Sequence, residues 1–140
     1  IMNVCRHWHV ISSATPALWT RIELDLWNRR HFRSQLRLSG DLPLTVSIKK
    51  LNSCGAASRV LEHAGRIASL SVSGRDQYVL HFMHEMRRFA FPLLRSLVLH
   101  PAFEDDEDDN EGHGVMPPKL LGGRMPSLRE LRVYRIKCPW

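Results

Sequence analysis

Leu94-Arg95-Ser96-Leu97-Val98-Leu99 is a six-residue word with leucine at its first, fourth and sixth positions. The word recurs, with aliphatic substitutions, as Ile67-x-x-Leu70-x-Val72 and Leu128-x-x-Leu131-x-Val133. Looser copies precede these, Trp19-x-x-Ile22-x-Leu24 and Pro43-x-x-Val46-x-Ile48. The central residues stand at 22, 46, 70, 97 and 131, so the intervals are 24, 24, 27 and 34 residues. Inside the words, apolar and polar residues alternate. Ile22, Leu24 and Leu26 are interleaved with Glu23 and Asp25, and Val46 and Ile48 with Thr45, Ser47 and Lys49. Alternation with period two predicts strands with one face toward a core.

Between the words the period changes to that of a helix. Val60, Leu61, Ala64 and Ile67 mark a helix over Ser58–Ile67, and Tyr78, Phe82, Met86 and Phe89 mark another over Tyr78–Phe89. Asn28–Leu38 is a third, basic helix, ended by Ser39-Gly40-Asp41 and Pro43. A strand and a helix repeated every 20–29 residues is the spacing of leucine-rich repeats, in which stacking of units closes a core that no unit can close alone. The expected fold class is therefore α/β: an irregular leucine-rich-repeat-like solenoid of parallel strands with intervening helices, its strands lining a concave face. A compact α/β domain with accidental leucine spacing is the alternative. The usual Asn or Cys three residues past each last leucine is absent, since Trp27, Leu51, Arg75, Ala102 and Ile136 stand there. The long last interval is explained by an inserted loop over residues 103–114.

That loop carries Glu104, Asp105, Asp106, Glu107, Asp108, Asp109 and Glu111, half of the 14 acidic residues in the chain. Its self-repulsion predicts an extended, solvated segment, and its spacing lacks the ligand pattern of a calcium loop. The other seven acids face 20 Lys and Arg, so the formal net charge of +6 becomes about +13 outside the loop. Hydrophobic residues at 44% and charged residues at 24% are globular proportions. No apolar run approaches the roughly 18 residues that span a bilayer, so no membrane association is expected. The first eight residues, Ile1 to Trp8, have no apolar signal region. Cys5, Cys54 and Cys138 are far apart and odd in number, which points to a reducing compartment, cytoplasmic or nuclear.

The start of the chain differs from the rest. Val4, Trp8 and Ile11 form a helical stripe over Met2–Ser12, with Cys5 beside it. Ser12-Ser13-Ala14-Thr15-Pro16 breaks that helix; Thr15 is placed as N-cap and Pro16 as first residue of a short turn through Ala17, Leu18 and Trp19. Val4-Cys5-x-x-Trp8 followed by Ser13-x-Thr15-Pro16-x-Leu18-Trp19-x-x-Ile22 resembles the second half of an F-box, in particular that of the F-box-like proteins of basidiomycete fungi. Leu36-x-Leu38-Ser39-Gly40-x-x-Pro43-Leu44, Glu62-His63-x-x-Arg66-Ile67-x-x-Leu70, Phe91-Pro92-x-Leu94-x-x-Leu97 and Met125-Pro126-x-Leu128-x-x-Leu131 resemble words of that family's repeat region, in the same order.

The resemblance implies an F-box-like helical remnant over residues 1–20 and a repeat region over residues 21–140. It also implies a first F-box helix, carrying a leucine-proline motif, upstream of Ile1. By the same resemblance the protein is the substrate receptor of a Skp1–cullin–F-box-type ubiquitin ligase. Val4, Cys5, Trp8, Leu18 and Trp19 would then support docking to a Skp1-type adaptor, and the repeats would bind a protein substrate. Strand alternation offers the substrate-facing positions: Glu23, Asp25, Ser47, Lys49, Ser71, Ser73, Val98, His100, Arg132 and Tyr134.

Two other readings stay open. One is a repeat scaffold for protein interaction with no ligase linkage. The other is a basic nucleic-acid-binding domain contacting phosphates through Arg29, Arg30, Arg33 and Arg37, although no aromatic-interleaved reader motif accompanies that charge. No cofactor, metal or enzymatic activity is expected. His81 and His84 lack the H-E-x-x-H order, helical spacing would scatter Cys5, His7 and His9, and no phosphate-binding glycine loop or nucleophile elbow occurs.

Overall fold

The computed structural model describes residues 5–25, 29–52, 54–102, 114–115, 124–134 and 136–137. The fold is α/β. After helix α1 (Arg6–Ser13) and a 3-10 turn (Pro16–Trp19), strands β1 (Arg21–Leu24), β2 (Leu44–Leu51), β3 (Ile67–Arg75) and β4 (Ser96–Ala102) alternate with helices α2 (Arg29–Leu38), α3 (Cys54–Leu61) and α4 (Asp76–Met86). Strands β5 (Gly114–Val115), β6 (Glu130–Val133) and β7 (Ile136–Lys137) follow. Five strands form one all-parallel sheet in the order β1-β2-β3-β4-β6.

The sheet register and the sequence word coincide. Ile22, Val46, Leu70, Leu97 and Leu131 are laterally paired across the five strands, and Leu24, Ile48, Val72, Leu99 and Val133 form the next row. Eight of these ten side chains are buried, and Leu131 and Val133 on the edge strand are half-buried. Phe32 of α2, Val60 and Leu61 of α3, and Val79, Phe82, Met83 and Met86 of α4 belong to the same apolar cluster. The helices therefore cover one face of the sheet. Among the described residues no element covers the other.

Helix bounds differ from expectation where two periodicities compete. The helix expected over Ser58–Ile67 runs Cys54–Leu61; a 3-10 turn at Ala64–Arg66 follows, and Ile67 opens β3 because its side chain serves the strand row. The helix expected to reach Phe89 ends at Met86, where Arg88 and Phe89 donate to the carbonyls of Glu85 and Met86 in a tightened last turn. Helix α2 is described over Arg29–Leu38, with Asn28 outside the described residues, and α1 occupies Arg6–Ser13. Leu26, Trp27 and most of the 103–114 loop lie outside the described residues. Gly114, placed by sequence in that loop, opens β5, which pairs with β7 through Gly114–Ile136 and Val115–Lys137.

Contacts between successive units use polar groups as well as the core. Arg66 donates from Nη2 to the Leu36 carbonyl at 3.2 Å, and from Nη1 to Ser39 Oγ at 3.1 Å and to the Gly40 carbonyl. Its guanidinium thus satisfies carbonyls left over at the end of α2, where a positive charge also complements the helix dipole. Gly40, at φ +55°, supplies the left-handed residue that ends this helix. Further along, the Phe91-Pro92 and Met125-Pro126 words lie side by side: Phe91 N–H donates to the Arg124 carbonyl at 2.7 Å, and Ser127 Oγ to the Pro92 carbonyl at 2.6 Å. Phe91, Leu94 and Met125 are buried beneath them.

Two irregularities interrupt the ladder between β2 and β3; at the first, Leu44 pairs with Ile67 and Thr45 with Ser69, so β3 carries one extra residue. At the second, Ile48 pairs with Val72, yet Leu51 pairs with Gly74, so β2 carries one extra residue. Lys50 takes up the extra length at φ 54°. This is a β-bulge, with an L-residue held in the left-handed region.

Candidate functional site

The uncovered sheet face is built in three rungs by the residues that alternate with the buried rows. Arg21, Thr45, Ser69, Ser96 and Glu130 make the first rung, and Glu23, Ser47, Ser71, Val98 and Arg132 the second. In the third, Ser73 pairs with His100; Lys49 reaches Glu23 from beside it, Tyr134, whose N–H donates to the Leu99 carbonyl at 3.0 Å, lies beside His100, and Asp25 directly follows β1. All ten residues expected on the substrate face are half-buried or exposed. The first rung was missed. Its signal was present, since the same alternation runs one step earlier in each word, to the residue just before the central aliphatic.

Short side chains occupy the middle of the face and long ones its margins. Three successive open-face positions of β3 are serine (Ser69, Ser71 and Ser73), and Thr45, Ser47 and Ser96 lie beside them. With strands about 4.8 Å apart, the five-strand width is about 19 Å. The margins are held by ion pairs. Lys49 Nζ lies 2.8 Å from Glu23 Oε2 at the β1 side. At the β6 side Arg132 Nη2 lies 2.6 Å from Glu130 Oε1, while Ser96 Oγ donates to Glu130 Oε2 at 2.9 Å. His100 and Tyr134 add an aromatic corner, with ring centroids 5.0 Å apart and planes inclined by 44°. A rigid floor of hydroxyls between pre-paired charges and a Tyr–Arg–His corner suits recognition of a polar macromolecular surface.

The hydrogen bond from Lys49, reinforced by its charge, holds the Glu23 carboxyl below its ordinary range. The hydrogen bond from Ser96, then the charge of Arg132, does the same for Glu130. A depressed carboxyl contributes stability above its unfolded pKa and loses it as pH falls through the folded one. Both side chains are solvated, so the effect on stability is small. We expect Lys49→Met to return the Glu23 pKa toward its ordinary value and leave that of Glu130 unchanged. A carboxylate-detected NMR titration reads both; equal shifts at the two sites would refute the pairing.

The second surface is at the chain's start. Helix α1 begins with the Cys5 sulfur accepting from Trp8 N–H at 3.5 Å. Its end is closed by Thr15 Oγ1 donating to the Ile11 carbonyl at 2.8 Å and by the Trp19 indole N–H donating to the Ser12 carbonyl at 2.6 Å. Thr15 thus occupies the N-cap position of the 3-10 turn, but its hydroxyl points back to α1 and caps nothing ahead. Trp19, half-buried, ties the turn to the helix. Trp8 does not: it is 52% exposed, with Val10 at 65%, Ile11 at 41% and Leu18 at 58%. Ser12 is the buried residue of α1. Cys5 is exposed, and Val4 lies outside the described residues.

The basic helix α2 runs on the covered side of the sheet. Arg33 and Arg37 are exposed there, away from the three rungs, and Arg29 and Arg30 have side chains outside the described set. His81 and His84 are exposed on α4. No helix among the described residues is long and apolar enough to cross a membrane. No protein-family model matches the chain, and no curated protein or solved structure is significantly similar to it.

Proposed function

We propose that the chain is the substrate receptor of a Skp1–cullin–F-box-type ubiquitin ligase, with α1 and the 3-10 turn docking on the adaptor and the open sheet face binding the protein to be modified. In this reading the strand–helix units are leucine-rich-repeat-like, and residues 1–20 are the second half of an F-box-like motif. The observation that carries it is the presence of two chemically distinct surfaces on one chain, one apolar and one polar. An eight-residue helix is marginal without tertiary packing. Yet α1 turns Trp8, Val10 and Ile11 to solvent, beside Leu18. A partner that covers this patch supplies the missing packing. The open face differs from it in chemistry, being polar and mounted on a parallel sheet, as a docking platform for a second protein requires, and the two meet at the cleft lined by Leu18, Arg21 and Glu23. The site's ion pairs and hydroxyls support binding, and the F-box-like words of the sequence support the ligase assignment.

Trp8 and Leu18 are the adaptor contacts in this arrangement, while Trp19 positions the turn that carries Leu18. Titration calorimetry of the purified chain with a purified Skp1-type adaptor tests it. Trp8→Ala is expected to weaken binding by at least thirtyfold, the scale of a buried aromatic anchor at an interface, with the melting temperature nearly unchanged. Unaltered affinity in the Trp8→Ala protein would remove α1 from the docking surface.

A further inference from the structure

We propose that a second copy of this chain pairs with the free edge of β1, antiparallel, about a two-fold axis passing between the two Ile22 residues. This goes beyond the receptor reading and does not rest on it, although Leu18 borders both surfaces. Strand β1 pairs on one side only, with β2. A single hydrogen bond fixes which way its backbone faces: Thr45 N–H donates to the Thr20 carbonyl at 2.9 Å. In an extended strand, alternate residues direct both N–H and C=O to the same side. Thr20, Ile22 and Leu24 therefore face β2, and Arg21 and Glu23 direct their backbone groups outward. Among the described residues, no group bonds to those outward N–H and C=O groups. Such an edge is a template for another strand. A cleft of about 440 Å³, lined by Leu18, Arg21, Glu23, His31 and Gln35, opens beside it and leaves room for one.

Parity and charge then select both occupant and register. Outward residues must lie opposite outward residues, so a self-pair can set Arg21 against Arg21, Glu23 against Glu23, or Arg21 against Glu23. The first two place like charges directly across from each other, which is destabilising. The third places opposite charges across from each other, and two-fold symmetry repeats the contact. Both Arg21–Glu23 positions are then hydrogen-bonded pairs that exchange N–H and C=O groups. The edge is self-complementary, and the two sheets continue as one with their open faces on the same side.

Four residues per edge make a small interface, so the dimer is weak, dissociating at roughly 10–100 µM. Sedimentation velocity of the 140-residue chain from about 5 to 300 µM protein tests it. The wild type is expected to move from monomer to dimer across that range. Arg21→Glu and Glu23→Arg, each placing two like-charge pairs in the interface, should weaken association by about tenfold. The double exchange Arg21→Glu with Glu23→Arg should restore it to within about threefold, since opposite charges again face each other. Both side chains are exposed, and thermal melts report folding; if a reversal variant does not fold, Arg21→Gln gives the same readout with a loss of about threefold. Three results would each overturn the proposal: a monomer at every concentration, a dimer indifferent to both single reversals, or a double exchange as weak as the single ones.

Discussion

Leu70→Ala is expected to lower unfolding stability by about 3–5 kcal/mol, while Ser71→Ala, one residue on, changes it by less than about 0.5 kcal/mol. Leu70 is fully buried on the middle strand of the five, paired laterally with Val46 and Leu97, themselves buried. Truncation removes transfer free energy and leaves a cavity that neighbours held in a hydrogen-bonded ladder cannot fill. Ser71 faces the open side, where a lost hydroxyl is replaced by water. A domain of this size has about 5–15 kcal/mol of total stability, so Leu70→Ala removes a large share of it. Urea denaturation of both variants measures the contrast. Comparable losses at the two positions would mean that β3 presents a different face to the core.

Gly74→Ala is the second large effect, about 2–4 kcal/mol destabilising. A Cβ at Gly74 would lie 2.5 Å from the Leu51 nitrogen and 2.6 Å from its Cβ. These atoms belong to the paired strand and cannot swing away as a flexible side chain would. The clash arises from the bulge, whose extra residue presses Leu51 toward β3 opposite Gly74. The same geometry predicts the opposite sign at Lys50. At φ 54° a side chain is strained, so Lys50→Gly should recover about 0.5–1 kcal/mol. Thermal unfolding of the two single variants and the pair reads all of this. A Gly74→Ala protein as stable as the wild type would show that β2 and β3 do not approach so closely there.

The strand rows were legible because the sequence word repeats both its spacing and its burial parity. Reading Leu97 as the counterpart of Leu70 amounted to reading their lateral pairing, and the long last interval fell between β4 and β6, which remain neighbours. Three features were not legible, for identifiable reasons. A one-residue bulge at Lys49–Lys50 leaves the apolar alternation of Val46 and Ile48 intact and only displaces Leu51, so period-two counting does not register it. The two-residue strands β5 and β7 are too short to have a period. The reach of Arg66 to the end of α2 joins groups 26 to 30 residues apart and has no local signal. On α1 the apolar stripe was visible, but its surroundings were not. Sequence shows that Trp8 and Ile11 share a side; whether that side meets a core or solvent depends on where the 3-10 turn directs the chain.

Two chemically distinct surfaces, one apolar on α1 and one polar on the sheet, are the centre of this account. The most direct test is affinity purification of the protein, expressed from its full coding sequence, followed by quantification of adaptor and cullin in the eluate. The account predicts that both co-purify with the wild type and are lost from a folded Trp8→Ala, Leu18→Ala protein, while a Ser71→Arg protein retains them. A folded wild type that brings down neither adaptor nor cullin would contradict it.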